Sequence, residues 1–343
     1  MSTIPEKDLP PGRHRALKEH LMREIASDQT PLPVRTPVWR RPAFVAPVVA
    51  AGLSVAVVIG VSVTRDAASD GPPRPHSAAS DRPERRSSES PDHLLERIAV
   101  AASKLPTGAE GDEFVYTKTD TYHWKMDPSK TVGDCPRTLE GHEYGVRERW
   151  ESVDGQHVGL SREHRTGGGV VERPIAKQLP GKHTINFYEQ ALQLPTDTEG
   201  MYRWLYGLDP GEKPSGKRSA DEAAFVKAGE LLTGSLLPPK TAAALYRAVS
   251  KIPGLIVLEG ARDAAGRTGV AVAMDGVGAI GFGQGGEPRS ELIFDEKTLA
   301  YMGLSTVNLS APENRCQPLA AGELVGSVAI LERAVVDKKG ERP

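Results

Sequence analysis

Residues 43–63 read AFVAPVVAAGLSVAVVIGVSV, 21 residues without a charge. A helix of that length spans about 30 Å, the thickness of a bilayer's hydrocarbon core. A buried core helix is normally shorter or keeps a polar stripe. A cleavable signal peptide has a shorter apolar region and a small-residue exit, whereas Thr64-Arg65-Asp66 follows here. Arg40-Arg41 is followed by Pro42 and preceded by a long segment, a poor match to a twin-arginine signal. Pro47 falls near the first turn, where its missing N–H costs little. The segment is therefore expected to be a transmembrane helix, with signal peptide and core helix as the weaker readings.

Orientation follows from the flanks. Arg35, Arg40 and Arg41 precede the segment, while Arg65 and Arg74 follow it together with Asp66 and Asp70. That asymmetry favours an N-terminus on the cytoplasmic side. Residues 64–91 are rich in Pro, Ser and charge without apolar periodicity, and read as a disordered stalk. The two cysteines, Cys135 and Cys316, both lie beyond it. An even pair in an exported domain is expected to form a disulfide, with two unrelated buried thiols as the alternative. The expected layout is a cytoplasmic tail (1–42), one membrane span (43–63), a stalk (64–91), an extracytoplasmic domain (92–337) and a short tail (338–343), in the cell membrane.

The cytoplasmic tail contains DLPPGRHRALKEHLMREI (8–25), opened by Asp8 and a Pro pair. Leu17, Leu21, Met22 and Ile25 share one face of the helix this predicts. So short a helix is marginal alone in water and calls for a protein groove or a lipid surface. A frayed juxtamembrane segment is the other reading.

In the exterior domain, residues 94–105 have helical spacing and 112–125 alternate like a strand. Residues 144–164 read as two strands around Asp154-Gly155. Thr196-Asp197-Thr198 opens a short helix. A capping box, Ser219 with Glu222, opens another that ends near Gly234, and 238–254 is a third, started and stopped by prolines. Strand–turn–strand units follow at 255–274 and 290–309, with a last strand at 326–340. Strands on both sides of a helical insert, joined by hairpins, predict an α+β fold: an antiparallel sheet with helices on one face.

The strings LYRAVSKIPGLIVLEGARDAAGRTGVAVAM, LIFDEKTLAYMG, LPTDTEGMYRWLY and IPEKDLPPGRHRALKEHLMREI resemble those of a family of actinobacterial single-pass membrane proteins of unassigned activity. The resemblance covers nearly the whole chain. Members are commonly encoded near extracytoplasmic-function sigma factors, which implies envelope signalling and a cytoplasmic partner such as a sigma factor. The repeated strand–turn–strand form is also similar to the curved half-barrel of lipoprotein carriers and of periplasmic sensors in sigma-factor pathways. That likeness implies a curved sheet, and a lipid or other apolar ligand as an alternative role.

Chemistry is hard to find. The net charge is −2 and aromatics are 5%, so nucleic acid is not an expected partner. GVGAIG (276–281) matches a dinucleotide-binding pattern, but no helix follows to meet a pyrophosphate. The exterior histidines have no metal-ligand spacing, and His157 and His164, placed on one strand, would face opposite ways. Gly303-Leu-Ser305-Thr-Val307 lacks the closing glycine of a nucleophile elbow. Asp295 and Glu296 read as turn residues. The expectation is a sensory or regulatory membrane protein with no catalytic residues, cofactor or metal.

Overall fold

The computed structural model describes residues 84–106, 108–127, 138–165, 168–177, 188–207, 219–276, 288–310 and 321–343. The apolar segment 43–63, the tail face of Leu17, Leu21, Met22 and Ile25, and both Cys135 and Cys316 lie outside the described residues. Among the described residues no helix is long and apolar enough to cross a membrane.

The fold is α+β, built on one large, curved, antiparallel sheet. In chain order its elements are β1 (Arg85–Arg86), α1 (Pro91–Ser103), β2 (Phe114–Asp127), β3 (Thr138–Ser152), β4 (Gly159–Arg165) and β5 (Val170–Ile175). Four helices follow: α2 (Tyr188–Ala191), α3 (Thr198–Leu205), α4 (Ala220–Gly234) and α5 (Pro239–Val249). The second run of strands is β6 (Ile256–Arg262), β7 (Thr268–Asp275), β8 (Pro288–Phe294), β9 (Tyr301–Asn308) and β10 (Leu324–Val336). The sheet order is β1-β6-β7-β8-β9-β10-β2-β3-β4-β5. Each run is a meander, and the two become one sheet because β10 pairs β2, from Gly326↔His123 to Val336↔Phe114.

Local chemistry sets the helix ends. Ser90 caps α1 by accepting from the His93 amide, with Pro91 in the first turn. Asp197 accepts from the Gly200 amide to start α3. Ser219 and Glu222 form both halves of a capping box on α4. Leu94, Leu95, Ile98, Ala99 and Ala102 make the buried stripe of α1. The helices share one core with Val257, Val270, Val272, Leu292 and Phe294 of β6–β8. Phe294 is edge-on to both Tyr246 of α5 (5.7 Å) and Tyr301 of β9 (5.6 Å).

The opposite face of these strands buries Leu258, Ala261, Ala271, Ala273 and Ile293, with Met302 of β9 packed among them. There the sheet curls back on itself. A bulge between Glu259 and Ala261, with Gly260 at φ +75°, bends β6. The β6–β7 turn then reaches β9, β10 and β2: Ala264 packs with Tyr122 and Ala329. Arg267 donates to the carbonyls of Met302 (3.2 Å) and Ile330 (2.8 Å), residues beside register shifts in β9 and β10.

Two boundaries differ from the sequence reading. Arg85 and Arg86, inside the segment read as a stalk, pair with Glu259 and Leu258 of the sheet. The last strand stops at Val336, and residues beyond it dock onto β3 instead of trailing away: the Trp150 indole N–H donates to the Glu341 carbonyl, and Arg342 forks onto Glu148. His157 lies in the β3–β4 turn and not on a strand, so the opposite-face argument does not apply to it.

Candidate functional site

The segment that leads into the domain is fastened by side chains spread over the sequence. Glu84 ion-pairs with Arg289 of β8, which also holds the buried Glu291 at 2.7 Å. The Ser87 amide donates to the Val257 carbonyl (2.9 Å), continuing the β1–β6 pairing by one rung. The Ser87 hydroxyl donates to Glu259 Oε1 (2.7 Å). Glu89 accepts from Arg97 (2.8 Å) and lies 2.6 Å from His93 Nδ1, both one or two turns along α1. Partial burial would raise the Glu89 pKa, but the bonds from Arg97 and His93 outweigh it and hold the carboxyl below its ordinary value.

Against this segment lies a shallow cleft of about 250 Å³. Ser87 and Glu89 form one wall, and Leu94 and Arg97 of α1 the second. Glu259 and Val270 of the sheet and Glu296 and Leu299 of the β8–β9 turn complete its lining. Five lining side chains are charged or hydroxyl-bearing and three are apolar, so the cleft suits a polar ligand or a peptide segment better than an acyl chain.

The β8–β9 turn is conformationally special. Leu299 has φ +60°, the one positive value at a non-glycine among the described residues. A leucine there costs about 1–2 kcal/mol. The turn holds it by several bonds to one aspartate. Asp295 Oδ1 accepts from the amides of Lys297 (3.0 Å) and Thr298 (2.7 Å) and from the Thr298 hydroxyl (2.8 Å). Its backbone carbonyl accepts from the Leu299 amide (2.9 Å). The reading of Asp295 as a turn residue is thus correct, with an addition that spacing could not give: the turn it organises lines a cleft. Local strain of this kind clusters at functional sites.

The structure does not gather the other sequence candidates. His93, His123, His157 and His164 sit on four different elements. Among the described residues no group of three or more His, Cys, Asp or Glu side chains is placed to hold a metal ion. Of GVGAIG only Gly276 belongs to the described residues. Sequence reasoning missed Glu84, Arg289, Ser87 and Glu259 altogether. Their signal was weak, because they lie in a segment whose composition reads as linker and their partners are far along the chain. No protein-family model matches this chain, and no curated protein does either.

Proposed function

We propose that this is a membrane-anchored sensory or regulatory protein whose exterior α+β domain passes its bound state to the membrane through residues 84–90. The apolar segment 43–63 is the membrane span in this reading, with the N-terminal tail on the cytoplasmic side. The carrying observation is that the lead-in segment is both a rung of the sheet and a wall of the cleft. A ligand in the cleft touches the chain that runs back to the apolar segment, so binding biases its docking directly. A flexible stalk joined to the domain only at α1 would lack that coupling. The tail helix, with Leu17, Leu21, Met22 and Ile25 on one face, supplies the cytoplasmic contact, for which a sigma factor or another regulator is the fitting partner.

A tethered carrier of a lipid or other apolar ligand is the lesser reading, since the cleft is edged by charge and the β6–β7 turn packs against Tyr122 and Ala329 on the other face of the sheet.

The test is cross-linked purification of the full-length protein from its native membranes, beside a form lacking residues 1–30, with mass spectrometry of what is retained. A cytoplasmic regulator held only by the full-length form is expected. Nothing cytoplasmic in either sample would sink the signalling reading.

A further inference from the structure

On the sheet face away from the helices, β2–β4 carry a second constellation that the cleft does not involve. Glu148 has a side chain 1% exposed. Tyr116 donates to its Oε1 (2.9 Å), His164 Nε2 lies 3.0 Å from Oε2, and Arg162 Nη1 is 3.8 Å away. Arg342 completes the shell with a fork, Nε to Oε1 at 2.6 Å and Nη2 to Oε2 at 2.8 Å. Next to it, Trp150 donates its indole N–H to the Glu341 carbonyl. Arg162 lies over the Trp150 ring (5.1 Å), and Tyr116 packs beside it (5.1 Å).

The two sides of this contact are built differently. The receptor side is buried beneath the strap, with Tyr116 and Trp150 fully covered and Phe114, Val336 and Leu160 packed around them. The occupant is a strap: residues 337–343 are all exposed, and the Arg342 side chain keeps 56% of its surface. Its anchors are one backbone carbonyl and the guanidinium of the following residue. The strap presents the pair from a turn, in which the Glu341 amide donates to the Lys338 carbonyl (3.1 Å), the Lys338 amide donates to the Glu341 carboxylate (3.1 Å) and Gly340 has φ +90°; an X–Arg pair in such a turn presents the same groups. Tyr116, His164 and Arg162 belong to the sheet and contact the carboxylate independently of the strap.

We infer that the β2–β4 face is a guanidinium-reading peptide site, occupied in cis by Glu341-Arg342, and that its outside ligand is an arginine-bearing turn of a partner protein. The strap is a built-in competitor. Its tether gives it an effective concentration of about millimolar, so a partner must bind more tightly than the strap or arrive when the strap has been displaced.

The test uses the full-length protein in lipid nanodiscs and a fluorescent peptide, VDKKGERP, copied from the strap. Anisotropy should show Arg342→Ala binding the peptide at least about tenfold more tightly than the wild type, whose own strap competes. A peptide with alanine in place of its arginine should lose about tenfold or more in affinity for the same variant. Adding Glu148→Gln to Arg342→Ala should abolish the gain. Thermal melts of each variant check folding, and the two peptides compared on one protein keep the test valid if Glu148→Gln melts early. Equal binding by wild type and Arg342→Ala, or by both peptides, would overturn the inference. So would a shift of the variant to dimers by strap exchange, which would assign the surface to a second copy.

Discussion

At the scale of single residues, Glu148 makes the sharpest statement about pH. Burial alone would raise its pKa, yet the bonds from Arg342, His164 and Tyr116 outweigh burial and lower it from 4.5 to about 2. A carboxyl depressed in the folded state contributes stability that is whole above its unfolded pKa and lost as pH falls through the folded one. The window for Glu148 is therefore about pH 4.5 down to about 2. Denaturant melts of wild type and Glu148→Gln should differ most above that window and converge inside it; a constant difference would show that the carboxylate is not the source. Gly303 is a second residue with a fixed role. Its φ is +150°, and a Cβ there would sit 2.0 Å from the Val328 carbonyl oxygen on β10. Gly303→Ala should destabilise by about 3 kcal/mol or more, read from the same melts, because backbone and not a flexible side chain is in the way.

Arg333 governs the junction between helix and sheet at the scale of elements. It rises from β10 and donates to the carbonyls of Leu232 (3.1 Å), Thr233 (2.8 Å) and Ser235 (3.1 Å), at the C-terminal end of α4. A guanidinium there satisfies carbonyls that have no helical partner and complements the negative end of the helix. Burial draws its pKa down from the ordinary value, against the pull of Tyr301 and Glu151. Arg333→Ala should cost about 3–5 kcal/mol and loosen α4, measured by hydrogen exchange along that helix. Arg333→Lys should rescue little, since one ammonium cannot copy a planar fork. The sequence shows where α4 begins, because the Ser219–Glu222 box is local, and the same is true of the Asp295 turn and the Asp154-Gly155 hairpin. It does not show that β10 caps α4, because Arg333 and Leu232 are 101 positions apart. The β5 strand VVERPI is hidden for another reason. It is an edge strand with one neighbour and mostly exposed side chains, so no apolar alternation marks it.

For the whole molecule, legibility follows the same division. Hairpins, insert and α+β class are written in short-range spacing. The joining of the two meanders and the pairing of Arg85–Arg86 with β6 are long-range facts, carried by pairs such as Glu84–Arg289, 205 positions apart. Composition therefore made a folded segment resemble a stalk. The functional account rests on that segment. Arg289→Ala should release it: residues 84–89 should become the preferred site of protease nicking in the full-length protein, with the rest of the domain intact. An unchanged digestion pattern would mean that the β1–β6 pairing holds without the ion pair. The most direct measurement is hydrogen exchange of the full-length wild type in nanodiscs. Integral docking predicts that the amide of Ser87, which donates to the Val257 carbonyl, exchanges as slowly as its neighbours in β6. Exchange at the rate of a free chain would contradict it, and with it the proposal that residues 84–90 carry the domain's state to the membrane.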